Sequence, residues 1–288
     1  MGRSCLPLTA NRQTHGNLRA KRIHSLDQKL IFVNNPTLNL QDKCAIITGT
    51  STSTGIGAAI ATAYAQAGAK VVINYEPSLP APDELLAELK STGGQVIAVA
   101  ADISDVSQHH LLIDAALNTF GVLDILVNNA GVLGAGQLFS VTEENWDHTN
   151  SVNLKGPYFL TQAAAKIMVE RKTKGRIINV TSTHVYRPSK LYTVYTISKA
   201  GLDMLSRSLA LELGEFGITV NSIVPGAVTT AMSGYHAQPE SLARNTNLVP
   251  LGRVGVPEDL VGAALFLASN ASDYVTGADI KVNGGFGL

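Results

Sequence analysis

Six short runs of apolar or β-branched residues recur along the chain: Cys44–Thr48, Lys70–Asn74, Gln95–Val99, Leu123–Val127, Arg176–Val180 and Ile218–Ile223. With no regular polar alternate, they read as strands buried on both faces. Helix-length segments fall between them, at about 56–67, 82–92, 105–120, 154–172 and 193–214. That alternation predicts an α/β fold, a doubly wound parallel sheet with helices on both sides. No linker or low-complexity run interrupts it after residue 40, so 41–288 reads as one domain.

Residues 1–40 break the pattern. Up to Leu26 they carry Arg3, Arg12, Arg19, Lys21 and Arg22, no acidic residue and no sustained hydrophobic period. Such a composition resembles an organelle transit peptide. A disordered tail and a start codon placed too far upstream are the alternatives.

Composition narrows the function classes. The chain has 288 residues, 45% of them hydrophobic, enough for a sizeable core. Its formal net charge is zero, so no global basic surface invites nucleic acid. No apolar stretch reaches the ~18–20 residues of a membrane span. Two cysteines, Cys5 and Cys44, make no disulfide framework, and Cys44 lies in a strand-like run. A reducing compartment follows: the cytoplasm, or an organelle matrix if the basic extension is a targeting segment.

Two local patterns carry chemistry. Strand 44–48 runs into Gly49-Thr50-Ser51-Thr52-Ser53-Thr54-Gly55-Ile56-Gly57 and then an Ala-rich helix. A glycine-rich turn at the first strand–helix junction turns backbone amides and a helix N-terminus toward a pyrophosphate. Further on, Tyr195 and Lys199 are four apart on a predicted helix and share a face. A free tyrosine titrates near ~10; a neighbouring ammonium favours the phenolate and is expected to lower that value toward neutrality. Ser182 lies thirteen residues before Tyr195, and Asn153 further back.

Over about residues 40–288 the chain resembles the short-chain dehydrogenase/reductases of the single-domain type. The matching motifs are the glycine loop, Asp102 after the third strand, Asn128-Asn129-Ala130-Gly131 after the fourth, Asn153, Ser182, Tyr195 with Lys199, and Pro225-Gly226-Ala227-Val228-Thr229-Thr230 after the sixth. One motif departs. Five residues separate Gly49 from Gly55 where the family usually has three, and deleting one Ser-Thr from Ser51–Thr54 restores the usual length. The excess is expected to bulge outward.

The resemblance implies a Rossmann-type catalytic domain and an NAD(P)-dependent oxidoreductase that interconverts a secondary alcohol and a ketone by hydride transfer. Gly49, Thr50, Gly55, Ile56 and Gly57 would hold the pyrophosphate. Asp102 and Ile103 would meet the adenine, with helix capping as the alternative role of Asp102. Asn129, Ala130 and Gly131 would bring backbone to the adenosine ribose, and Pro225, Val228 and Thr230 would meet the nicotinamide. Tyr75 stands where NAD enzymes carry an acidic residue, while Thr54 and Glu76 stand where NADP enzymes often carry a basic one, so the preference stays open. Lys70 would reach the ribose only by projecting toward it.

In the implied reaction Ser182 orients the substrate oxygen, Tyr195 passes the proton, Lys199 assists Tyr195 and holds the nicotinamide ribose, and Asn153 anchors a water leading to Lys199. No metal is called for. The partner is a small carbonyl or alcohol. An unspecified ketone or 3-oxoacyl compound comes first; a sugar or polyol is the alternative, because His184 beside Ser182 resembles glucose-dehydrogenase-type members. Tyr192 and Met232 are expected at the substrate, with Tyr186, Tyr235 and His236 nearby and 230–248 as a flexible lid. The C-terminal stretch, with a last strand expected in 275–280 and Asn283 where relatives carry aspartate, implies a homotetramer. A nucleotide-binding regulatory protein without catalysis is the alternative from another class.

Overall fold

Strands that are apolar on both faces need a cover on each side, and the chain supplies it with helices. The computed structural model describes residues 38–234 and 239–288. Nearly all of the basic extension expected at 1–40, and Tyr235 and His236, lie outside the described residues. Seven strands form one parallel sheet: β1 (Cys44–Ile47), β2 (Lys70–Tyr75), β3 (Gln95–Ala100), β4 (Ile125–Asn128), β5 (Arg176–Val180), β6 (Thr219–Pro225) and β7 (Asp279–Val282). Their order is β3-β2-β1-β4-β5-β6-β7.

Chain order reverses direction between β1 and β4, which pair through Ala45 with Ile125 and Ile47 with Val127. At such a switch point the connections leave in opposite directions and open a crevice beyond the strand ends. Alternate β1 residues feed two cores. Ala45 and Ile47 pack with Ile60, Tyr64, Val71 and Leu265 on one face. Cys44 and Ile46 pack with Leu112, Leu126, Leu160 and Ile177 on the other.

The helices are α1 (Ile56–Gln66), α2 (Asp83–Ser91), α3 (His109–Phe120), α4 (Glu143–Asn150), α5 (Gly156–Glu170), α6 (Thr193–Leu213), α7 (Pro239–Thr246) and α8 (Val261–Ala268). Tyr64 of α1 donates to the carbonyl of Ala264 in α8 at 2.9 Å, and full burial pushes its phenol well above the usual range. At the foot of β1, Asp124 accepts from the backbone of Cys44 at 2.9 Å and pairs with Lys43 at 3.0 Å. Burial followed by this carboxylate pushes the Cys44 thiol up to about 12, which leaves it inert.

Several boundaries differ from the sequence pattern, each for a local reason. Asp105 caps a separate 3₁₀ turn by accepting from Ser107 at 2.9 Å, so α3 starts only at His109. Apart from Trp146, α4 is polar and has no apolar stripe to betray it; Thr142 caps it, and Glu143 and Glu144 sit in its first turn, where the helix dipole favours them. The last strand begins at Asp279 because Gly277, at φ +69°, turns the chain first. The segment 230–248 is not all loop, since α7 occupies its end.

Candidate active site

At the switch point the glycine turn is fixed by its neighbours. Gly49 has φ +70°, and a Cβ there would lie 2.6 Å from Cα of Ala130. A Cβ on Gly57 would lie 2.7 Å from Nδ2 of Asn129. Thr50 is buried, and its backbone donates to the carbonyl of Asn74 at 2.8 Å. Thr52, Ser53 and Thr54 are exposed, so the surplus residues point outward while the flanking glycines keep their packing. Ser51 turns back, its hydroxyl accepting from the backbone of Glu76 at 3.4 Å. The α1 N-terminus has no side-chain cap, which leaves its first amides free.

Two residues outside the expected set hold this turn. Thr48 Oγ1 accepts from the backbone amides of Asn129 and Ala130, both at 3.0 Å. Asn74, buried in β2, accepts from Gly49 N at 3.3 Å and donates to the carbonyl of Ala101 at 2.8 Å. A lone amide inside the run Lys70-Val71-Val72-Ile73-Asn74 was the available signal. Asn129 Nδ2 donates to the carbonyls of Thr48 and Gly49 at 2.8 and 3.1 Å.

Tyr75 ends β2 at this crevice, whereas Lys70 begins it, five residues or about 16 Å away, and cannot reach the same ribose. Asp102 caps neither the 3₁₀ turn, which Asp105 caps, nor α3, which has no side-chain cap. Both Asp102 carboxylate oxygens accept from Ser104, from its backbone at 2.8 Å and its hydroxyl at 2.9 Å. Ile103 is buried beside it. Pro225 closes β6, and buried Val228 bridges to Gly255. Thr230 is turned onto its own loop, its backbone donating to Ser233 Oγ at 3.0 Å.

Beyond β4 and β5 the second cluster assembles. Asn153 is fully buried on a single π-turn, Ser151–Lys155, of the kind that often marks a functional site. Its amide clamps Val132, accepting from N at 2.8 Å and donating to O at 2.9 Å, and also donates to Ser198 Oγ at 3.0 Å. A Cβ on Gly131 would lie 3.2 Å from Asn153 Oδ1 and 3.3 Å from Lys199 Nζ, a tight approach in which those side chains would have to give by a few tenths of an ångström. Ser182 stands just past β5, and its hydroxyl lies 3.1 Å from His184 Nδ1 and accepts from His184 N at 3.2 Å.

Tyr195 and Lys199 are buried on the inner face of α6. The direction expected for Tyr195 needs correcting: burial pushes its phenol above the usual range, and the Ser182 hydrogen bond pulls the other way. Lys199 does not lower it here, because Nζ sits 6.0 Å from the ring centroid and donates to the carbonyl of Val180 at 2.8 Å. Burial brings Lys199 itself down to about 8. A phenol and an amine both pushed toward their neutral forms in a cleft are poised for proton traffic.

The His184 ring meets Tyr195 and Tyr192 edge to face, with centroids 5.4 and 5.6 Å apart. Burial, then the charge of Arg187, lowers its pKa. Its Nε2 is buried and has no partner among the described residues. Met232 is exposed on the turn 231–233. Among the described residues no group of three or more His, Cys, Asp or Glu side chains could hold a metal, and no helix is long and apolar enough to cross a membrane.

A glycine-built dinucleotide turn at a sheet switch point, next to a buried Ser, Tyr and Lys, defines a nucleotide-dependent oxidoreductase class. Residues 49–287 match a family model described as enoyl-(acyl carrier protein) reductase. The L-rhamnose 1-dehydrogenase (NAD(P)(+)) of Azotobacter vinelandii is 41% identical over 85% of this chain and 97% of its own. The 3beta-hydroxysteroid dehydrogenase 1 of Eggerthella lenta is 39% identical over 87% and 95%. Among solved structures, a gluconate 5-dehydrogenase from Burkholderia cenocepacia J2315 in complex with NADP and tartrate superposes with a TM-score of 0.78 at 31% identity, covering 87% of this chain and 97% of that one. The chain belongs to the short-chain dehydrogenase/reductase family. It is an NAD(P)-dependent oxidoreductase acting on CH–OH groups.

Proposed function

We propose that the enzyme oxidises a secondary hydroxyl of a sugar or sugar-like polyol, and reduces the matching ketone, with Ser182, Tyr195, Lys199 and Asn153 at its centre. One observation carries the substrate reading: the buried Nε2 of His184, without a partner among the described residues, sits on a ring whose other nitrogen lies 3.1 Å from Ser182 Oγ. A polar atom in that position asks for a hydrogen-bonding group next to the reacting one, and a polyol offers a second hydroxyl there. The sugar dehydrogenases among the relatives support the same choice.

The nucleotide fits the first cluster because the turn at Gly49 and Gly57 leaves no room for a Cβ and α1 has no side-chain cap. Thr50, Gly55 and Ile56 would complete the pyrophosphate turn, with Tyr75, Asp102, Ile103, Asn129 and Ala130 on the adenosine side and Pro225, Val228 and Thr230 on the nicotinamide side. When bound, the nicotinamide supplies or accepts the hydride.

The chain's own work is binding, orientation and proton transfer. Ser182 would hydrogen-bond the reacting oxygen and stabilise charge on it. Tyr195, kept as a phenol by burial, would give its proton to that oxygen in reduction and take it back in oxidation. Lys199 would hold the ribose hydroxyls and bring a positive charge to the phenolate, and Asn153 would keep Val132 and the π-turn in place beside it. Tyr192 and His184 would wall the substrate.

The apolar surface between α5 and α6, with Tyr158 and Met204 exposed, suits a homotetramer contact. The buried free thiol Cys44 suits a reducing compartment such as the cytoplasm or an organelle matrix. The test is turnover of L-rhamnose, D-gluconate, D-glucose, a 3-hydroxysteroid and a simple secondary alcohol with NAD and NADP separately. Sugars should be preferred by at least about tenfold in kcat/KM; preference for the simple alcohol would overturn the polyol reading.

A further inference from the structure

The last eight residues meet three separate segments of the cleft. Asn283 Nδ2 donates to Tyr186 Oη at 2.7 Å and to the carbonyl of Phe286 at 3.0 Å, while its Oδ1 accepts from Gly285 N at 3.0 Å. One amide therefore shapes the terminal turn and grips the loop that follows Ser182 and His184. Lys281 Nζ lies 4.5 Å from the Tyr186 ring centroid, and Arg187 lies 4.5 Å over the buried ring of Phe286. Gly287, at φ +92°, passes so close that a Cβ would come within 3.0 Å of Arg187 and 3.1 Å of Tyr186.

The same tail reaches the other two segments. Gly226 donates to the carbonyl of Val282 at 3.1 Å, and a Cβ on Gly226 would lie 2.8 Å from Cα of Asn283, so the turn before Val228 rests on the tail. Leu251 donates to the carbonyl of Gly284 at 3.1 Å, which ties down the exit of the segment after Thr230. A Cβ on Gly285 would come within 2.8 Å of Pro250.

We infer that the C-terminal tail is a clasp on the substrate side of the cleft, and that Asn283, through Tyr186, is a positioning residue for the loop carrying His184. The inference rests on the reading that Ser182, Tyr195 and Lys199 form the reacting centre. It follows from how the loop is held. Residues 184–187 hang on one 3₁₀ turn, with Tyr186 and Arg187 donating to Thr183 O at 3.2 and 2.9 Å. Such a turn is weak alone, and the tail supplies the Tyr186 hydrogen bond and the Arg187–Phe286 stack. Arg187 is also the charge that, after burial, holds His184 in its neutral form.

The test uses the full chain with NADPH and follows amide exchange. Asn283→Ala, which loses the Tyr186 bond and the two that shape the terminal turn, should raise exchange in 183–187 by at least about tenfold, the size of one lost hydrogen bond, and leave β6 unchanged. Tyr186→Phe should do the same, and the double variant should add nothing further. Asn283→Asp, which can still accept from the Tyr186 hydroxyl, should stay within about threefold of wild type. With L-rhamnose as probe, Asn283→Ala should raise KM about tenfold with kcat and NADPH affinity within about threefold. Unchanged exchange in Tyr186→Phe, or an equal rise throughout β6, would overturn the clasp; a KM unmoved despite faster exchange would overturn its positioning role. The exchange arm needs no substrate, so it decides the clasp even if the polyol reading fails.

Discussion

The nucleotide half and the substrate half of the cleft are built on opposite principles. Around Gly49 the side chains are spent on holding the turn: Thr48 serves two amides, Asn74 ties the turn to β2, and Asn129 caps two carbonyls, leaving backbone amides at the start of α1 open. Around Ser182 the groups are left wanting, with His184 Nε2 partnerless and Tyr195 and Lys199 buried at a cost to their charged forms. A half that binds one invariant cofactor can be finished by the fold. A half that must bind something from outside, and move a proton, keeps its unsatisfied groups until the substrate arrives.

If that contrast holds, damage to the two halves should separate cleanly. The largest effect belongs to Tyr195→Phe, which removes the proton and keeps the ring. Turnover should fall by roughly 10³-fold, while NADPH affinity, followed by cofactor fluorescence, stays within about twofold. Substantial remaining turnover would remove Tyr195 from the reaction.

Gly49→Val is the mirror experiment. Its Cβ would press on the backbone of Ala130 at φ +70°, a conformation that β-branched residues avoid. Nucleotide affinity should drop by about 100-fold or more, and the loss should appear in Kd before it appears in kcat at saturating cofactor. Equal loss in both would mean that the halves are one rigid unit.

The charge state of Lys199 offers a subtler probe. Its pKa, near 10.5 when unfolded, is brought to about 8 by burial, so between those values the unfolded chain binds more protons than the folded one. Stability from this group therefore rises as pH goes from about 8 to 10.5, and below pH 8 the full burial penalty remains. Lys199→Met should abolish that rise. The difference between variant and wild type in urea unfolding should shrink with pH by up to about 3 kcal/mol. A difference flat across that range would show that the ammonium is not desolvated.

Sequence pattern reached the two halves unequally, and the physical reason is distance. The sheet was legible because a strand buried on both faces must be apolar throughout, and its last turns carry the glycines that a pyrophosphate demands. Tyr195 and Lys199 were legible as an i,i+4 pair, but not the direction in which burial drives Tyr195, since desolvation depends on what covers the ring. Asn74 showed only as an amide in an apolar run. Asn283 and Tyr186 are 97 residues apart, and no local period announces their contact. Helix α4, polar but for Trp146, carries no hydrophobic stripe for a pattern to find.

The smallest effect is expected in the lengthened glycine loop. If the nucleotide half is set by Gly49, Thr50, Gly55 and Gly57 and their fixed neighbours, the surplus residues should matter little, because Thr52, Ser53 and Thr54 face solvent. Deleting Ser53 and Thr54 should then leave NADH and NADPH affinities within about threefold of wild type, or tighten them by reducing the entropy lost on ordering a longer loop. The deletion keeps Ser51, whose hydroxyl accepts from Glu76 at the end of β2, so the ribose side should stay in register. Loss of both cofactors would show that the longer loop is part of the binding surface, whereas loss of one alone would assign to the exposed residues the discrimination between NAD and NADP.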